Sequence, residues 1–210
     1  MPAIILAVIL SYLIGSIPTA YIFVRLIKKA DIRKIGSGNV GATNALRVLG
    51  KGWGITVLIL DIFKGFFPVI VLGSLFVPSL SLVQECNLSI IIGLSAICGH
   101  NWTIFLNFKG GKGVATTLGV LIGLAFRIPG LNVVLGLTVL VWIVSFVLIR
   151  IISISSILAA LSFPIFTLIY RQSNLVILAG ILLSLFVILR HKSNIKRLLK
   201  GEEPRLSLKK

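Results

Sequence analysis

Long apolar runs alternate with short polar ones along the whole chain. Read by hydropathy, the apolar runs predict seven helices, at 3–27, 53–77, 88–106, 114–126, 131–149, 155–170 and 175–190, and hence an all-α integral membrane protein. The fourth run is short. Val114 to Phe126 rises only about 20 Å, against a hydrocarbon core of about 30 Å. It spans if the preceding glycines extend it or if the bilayer thins there. Otherwise it is re-entrant, and the spans number six. Connections are short and no tandem repeat is present, so the chain reads as a single membrane-integral domain over 1–210. The Lys28–Gly52 loop and the Lys192–Lys210 tail have room for structure outside the bilayer. The tail predicts a basic surface helix ending near Gly201.

Composition agrees with the pattern. The 210 residues are 57% hydrophobic and only 12% charged, where soluble domains carry about 25% charged residues. Mean hydropathy is +1.10, the value of an integral membrane protein. The net charge of +16 therefore calls for a membrane explanation before a nucleic-acid one. The cations cluster between apolar spans, and aromatics do not alternate with them as on a base-stacking platform, so no nucleic-acid partner is expected. The N-terminal run carries its charge behind it, at Arg25, Lys28 and Lys29, as a retained first helix does and a cleaved signal does not. Cys86 and Cys98 have no metal spacing, and no metal is expected.

Charge placement orients the chain. With seven spans, 18 of the 21 Lys and Arg residues fall on one side, Arg127 and Arg171 fall on the other, and Lys64 lies inside the second span. The positive-inside rule puts the rich side in the cytoplasm, with the N-terminus outside and the C-terminus cytoplasmic. The same parity places three polar motifs, at 36–47, 108–117 and 190–198, on the cytoplasmic face.

The first motif holds Gly36, Ser37, Gly38, Asn39, Gly41, Thr43 and Asn44. Its Gly-x-Gly-x-x-Gly spacing is not a dinucleotide site, because Lys28–Lys34 before it is not a buried strand and Asp61 after it sits in an apolar span. The glycines still let backbone N–H groups converge on an anion at a helix start. The hydroxyls and amides add contacts, and Arg47 can grip a phosphate bidentately. The structural alternative is a flexible connector with a helix cap. The second motif holds Lys109, Gly110, Gly111, Lys112 and Gly113, and suits a phosphoryl oxygen. No Ser or Thr follows Lys112 directly, so it is not a nucleotide P-loop. A positive-inside turn would need the lysines but not three glycines. His100 and Asn101 lie upstream, and His100 reads equally as an interhelical partner or a catalytic group.

In the third motif His191 and Asn194 are three apart and share a helix face. A basic helix on anionic lipid explains Arg190, Lys192, Lys196 and Arg197, but not those two. Asp61 and Lys64, also three apart, predict a mutually neutralising pair within the second span. Ser153, Ser155 and Ser156 can reach a phosphate or bond a helix backbone. Neither histidine has Asp five positions on, where Phe105 and Lys196 stand, so the His-x4-Asp acyltransferase route is closed.

Four ordered stretches resemble the bacterial acyl-phosphate:glycerol-3-phosphate acyltransferases over nearly the full length. They are the first motif, Leu60-Asp-x-x-Lys-Gly65, Gly99-His-x-x-x-x-Phe105 running into the second motif, and Arg190-His-x-x-Asn-Ile-x-Arg-Leu198. The resemblance implies a seven-helix fold in the bacterial inner membrane with a cytoplasmic active site. It implies that acyl phosphate and sn-glycerol 3-phosphate give 1-acyl-glycerol 3-phosphate and phosphate, in phospholipid biosynthesis. No cofactor is implied, and a functional link to the enzyme that makes acyl phosphate is. Carried over by motif, Ser37, Arg47, Lys112, Ser156, His191 and Asn194 are the principal positions. His191, Asn194, Lys112, Ser37 and Arg47 would be catalytic, with the glycines, Asn39, Thr43, Asn44, Lys109 and Ser156 binding substrate. The hydroxyl proton goes to His191 or to a substrate phosphate oxygen. The competing class is a transporter or exporter of an anionic lipid precursor. It would place polar groups at several depths, whereas here they crowd one face.

Overall fold

The computed structural model describes residues 2–76 and 82–206. The tail cations Lys209 and Lys210, Met1, and the end of the second predicted span at 77 lie outside the described residues. The described elements are helical: α1 (Pro2–Ser16), α2 (Thr19–Lys28), α3 (Ala42–Leu49), α4 (Lys51–Phe67), α5 (Gly73–Leu75), α6 (Leu82–Asn101), α7 (Val114–Ala125), α8 (Leu131–Ile149), α9 (Ile152–Ile169), α10 (Asn174–Arg190) and α11 (Lys192–Leu199). The chain forms two compact units that divide between Arg127 and Ile128.

Among the described residues, five stretches are long and apolar enough to cross a membrane: Pro2–Lys28, Lys51–Leu75, Gln84–Leu106, Leu131–Ile149 and Ile152–Ile169. The pair α10 and α11, bent by 59°, brings the number to six. Large apolar side chains such as Ile5, Ile59, Leu140, Leu148, Leu168 and Leu189 point outward, as lipid-facing helices require. With its 12 residues, α7 is shorter than a span. Thr116, Gly119, Val120, Leu121, Gly123 and Leu124 are buried within it, so it is wrapped in protein.

In unit 1 the helices meet through small residues and hydroxyls. A Cβ on Gly15 would lie 2.0 Å from the Ala96 carbonyl oxygen of α6, and one on Gly99 2.2 Å from that of Tyr12 in α1. Ser11 donates to the Ile92 carbonyl (2.6 Å) and Ser95 to that of Val8 (2.8 Å). Gly65 of α4 and Gly119 of α7 bring those two backbones together in the same way. Lipid supplies no hydrophobic drive for helix association, so close backbone approach and interhelical hydrogen bonds carry it.

Two prolines reshape the unit. The first predicted span, 3–27, is broken between α1 and α2 at Ile17 and Pro18. Pro18 has no N–H to continue the ladder. Pro68 lacks one too, and α4 passes through a π-helical turn, Pro68–Leu72, before α5. Arg127 braces that turn. Its guanidinium donates to the Ile70 carbonyl (2.8 Å) and Ser74 Oγ (2.5 Å) and pairs with Glu85 (2.6 Å).

In unit 2, α9 packs on α8 and α10. Ser184 of α10 donates to the Ala160 carbonyl of α9, and Gly180 lets the Phe163 ring approach. The chain bends at His191 into α11, and the tail then folds back, with Leu206 N–H donating to the Arg150 carbonyl at 2.8 Å.

Candidate active site

The first glycine motif is shaped by one fully buried amide. Asn44, in the first turn of α3, accepts from the Ser37 N–H through Oδ1 at 2.8 Å. Its Nδ2 donates to the carbonyls of Ile32 (3.3 Å), Ile35 (3.1 Å) and Asn39 (3.1 Å). Gly36, at φ +60°, could carry no side chain here, since a Cβ would lie 2.2 Å from Asn44 Oδ1. At the loop entry, Arg33 donates to Asp31 and holds its carboxyl down at about 2. Ser37 and Arg47 are both exposed, Ser37 on the loop and Arg47 in the last turn of α3.

The second motif lies on the end of α6. The Gly110 N–H donates to the Asn101 carbonyl (3.2 Å) and the Gly111 N–H to the His100 carbonyl (3.0 Å). Gly113 adopts φ +77° and begins α7. A Cβ on Gly111 would lie 2.1 Å from His100 Nε2 and 2.8 Å from the Val40 carbonyl oxygen. Gly111 therefore joins the two glycine motifs. Lys112 is half-buried and Lys109 exposed. The Asn101 amide, beside Gly113, is fully buried and hydrogen-bonds to no described residue.

Below the second motif lies a buried charge cluster. Asp61 Oδ1 accepts from the Thr19 hydroxyl (2.5 Å) and pairs with Lys64 Nζ (2.8 Å). His100 Nδ1 stands 3.8 Å from the same oxygen. Lys64 also donates to the Ile17 carbonyl at 2.8 Å, an acceptor released by the break before α2.

The third motif belongs to unit 2. His191 is buried, and its Nδ1–H donates to the Val187 carbonyl at 2.7 Å. That bond fixes the ring orientation and turns Nε2 away from α10. Asn194 Nδ2 donates to Glu203 Oε1 at 2.5 Å, Ser153 Oγ to the same oxygen at 2.8 Å, and Arg197 Nε to Oε2 at 2.7 Å. Burial alone would raise the Glu203 carboxyl, but the bonds from Asn194, Arg197 and Ser153 hold it below its ordinary value.

A family model described as "Glycerol-3-phosphate acyltransferase" matches residues 5–201. The chain belongs to the glycerol-3-phosphate acyltransferase family. It is 43% identical over 208 residues to the protein of that name from Desulforudis audaxviator, covering 99% of this chain and 98% of the relative. It is also 43% identical to the one from Trichormus variabilis, covering 96% of this chain and 91% of the relative. Among solved structures it resembles PlsY (YgiH), an integral membrane glycerol 3-phosphate acyltransferase. The glycerol 3-phosphate form matches with a TM-score of 0.84 at 38% identity, covering 97% of this chain and 96% of that one. The lysophosphatidic acid form matches at 0.80 and 36% identity. This acyltransferase is thus an all-helical, multi-pass membrane enzyme.

Within the enzyme, unit 1 brings Gly36, Ser37, Gly38, Asn39, Gly41, Thr43 and Asn44 into one loop and helix start, and sets Gly110, Gly111, Lys112 and Gly113 against it. Asn44 turns its amide to the loop backbone and shapes that loop. In unit 2 it is Ser153, not Ser156, that shares the Glu203 carboxylate with Asn194. Ser156 Oγ instead accepts from Trp142 Nε1 at 3.3 Å. Sequence reasoning missed Glu203. The one available signal was an acidic pair, Glu202 and Glu203, in a tail otherwise rich in cations.

Proposed function

We propose that this acyltransferase takes its acyl group from an acyl phosphate and transfers it to the 1-hydroxyl of sn-glycerol 3-phosphate, giving 1-acyl-glycerol 3-phosphate and inorganic phosphate. The observation that most supports the reading is the packing of the two glycine motifs at Gly111 and Val40. It brings the starts of α3 and α7 together with Lys112, and helix starts and a cation are groups that hold an anion. The forms in which the PlsY neighbours were solved, with glycerol 3-phosphate and lysophosphatidic acid, match the acceptor and the product.

An acyl phosphate is already activated, so the work is positioning and charge stabilisation. The glycerol oxygen attacks the carbonyl carbon, the bond to the phosphate oxygen breaks, and phosphate departs with the electron pair. Arg47, Lys112, Lys109 and the glycine loops, with Asn39 and Thr43, hold phosphate oxygens. Ser37 and Ser156 add hydrogen bonds. His191 and Asn194 orient glycerol phosphate. The hydroxyl proton passes to a substrate phosphate oxygen, and His191 Nε2 serves as hydrogen-bond acceptor.

The same reading takes residues 1–210 as a single domain of the bacterial inner membrane. It crosses seven times, with the N-terminus outside, the C-terminus inside and the motifs cytoplasmic, and works beside the enzyme that makes acyl phosphate. The lopsided loop cations support that orientation. Purified protein given acyl phosphate and glycerol 3-phosphate should release one phosphate per lysophosphatidic acid formed. Product formed from acyl-CoA but not from acyl phosphate would overturn the donor assignment. A transporter would release no phosphate from this pair of substrates.

A further inference from the structure

We propose that Asp61 and His100 form a positioning pair beneath the second glycine motif, holding Gly110–Lys112 in the shape that receives a substrate phosphate. The inference rests on the reading above that this loop holds one. Neither residue has a part in the reaction as derived so far, yet both are buried in a membrane protein, where ionisable groups are costly to keep.

The contacts form a continuous path. Asp61 is fixed from two sides, by the Thr19 hydroxyl at 2.5 Å and by Lys64 at 2.8 Å. Lys64 is itself tied to the Ile17 carbonyl at 2.8 Å. The carboxylate thus stands at a set point where α2, α4 and α6 come together. His100 turns its Nδ1 edge to that carboxylate at 3.8 Å. The opposite edge, Nε2, lies against Gly111, where a Cβ would be only 2.1 Å away. The His100 carbonyl also accepts from the Gly111 N–H at 3.0 Å. One residue therefore holds Gly111 by both ring and backbone.

A simple ion pair does not require this layout. Asp61 and Lys64 neutralise each other within α4 without help from α6. Replacing such a pair by apolar groups is often harmless to folding. What the charge adds is a fixed carboxylate for the imidazole, which sets how the ring meets the loop. Gly111 also touches Val40, so a shift of the ring would move both glycine motifs together.

The test uses the full-length enzyme purified in detergent. His100→Gln and the charge-free double variant Asp61→Asn/Lys64→Met should each raise the KM for one phosphate substrate by about tenfold to a hundredfold, with kcat within about threefold of wild type. Inhibition by inorganic phosphate should weaken in parallel. Combining the two changes should add little, because they interrupt one path. A merely structural cluster would lower the melting temperature and leave both KM values unchanged, and that result refutes the pair. Should the charge-free variant not fold, His100→Gln leaves the ion pair in place and decides alone. Lys112→Ala separates this inference from its premise. If Lys112→Ala keeps both wild-type KM values, the loop does not hold phosphate and the premise fails. If it loses phosphate binding while His100→Gln and Asp61→Asn/Lys64→Met keep it, the positioning pair alone is refuted.

Discussion

The Asn194 side chain donates to the Glu203 carboxylate at 2.5 Å, across a bend that turns the tail back onto α11. Ser153 and Arg197 share the same carboxylate, so one acidic residue ties the third motif to the start of α9.

Glu203→Ala should destabilise the protein by about 1–3 kcal/mol, because buried Asn194 and Ser153 both lose the acceptor that Glu203 gives them. Glu203→Gln should cost less, since its amide oxygen still accepts from both. Thermal melts of the purified variants check the order. The folded-state pKa of Glu203 lies below its ordinary value. Its contribution is therefore fully present above that ordinary value and lost as pH falls through the depressed one. The melting gap between wild type and Glu203→Gln should narrow on acidification, and a gap independent of pH would contradict the assignment.

Gly111→Ala should cripple the enzyme. The new methyl would lie 2.1 Å from His100 Nε2 and 2.8 Å from the Val40 carbonyl, so the loop must move. We expect kcat/KM to fall about a hundredfold or more, in line with small misplacements elsewhere. Gly52→Ala, where a Cβ meets nothing within 4 Å, is the control and should leave the rate unchanged.

His191→Asn separates orientation from proton removal. If His191 orients glycerol phosphate by hydrogen bonding, saturating substrate should restore a good part of the wild-type rate. A general base contributes about 10²–10⁴-fold, so losing one would be plain at any concentration. A variant at least about a hundredfold slower at saturation that still binds glycerol phosphate normally would make His191 the base.

Single-cysteine labelling in intact membranes should mark positions 38, 110, 150 and 193 from the cytoplasm, and 128 and 173 from outside. The expectation comes from the division of loop cations. Position 128 follows α7, the 12-residue helix. Its labelling from the cytoplasm would make that segment re-entrant and reduce the crossings to six.

Hydropathy made the helices legible from the sequence. The fifth predicted segment, 131–149, coincides with α8, and the tail helix ends just before Gly201, as the pattern predicts. Lipid accounts for this, because a backbone that cannot bond to water satisfies itself by helix over most of each apolar run. The glycine motifs were legible too, since Gly36, Gly38 and Gly113 mark positions of positive φ that other residues rarely adopt. Partner choice was not legible. Nothing in the order of residues says that Pro18 would free the Ile17 carbonyl for Lys64, that Gly111 would rest on His100, or that Glu203 would return to Asn194 and Ser153. Periodicity and composition describe what each segment needs from its surroundings. Which distant atom meets that need is settled only when the helices pack, because close backbone approach and fixed hydrogen-bond distances leave room for few partners.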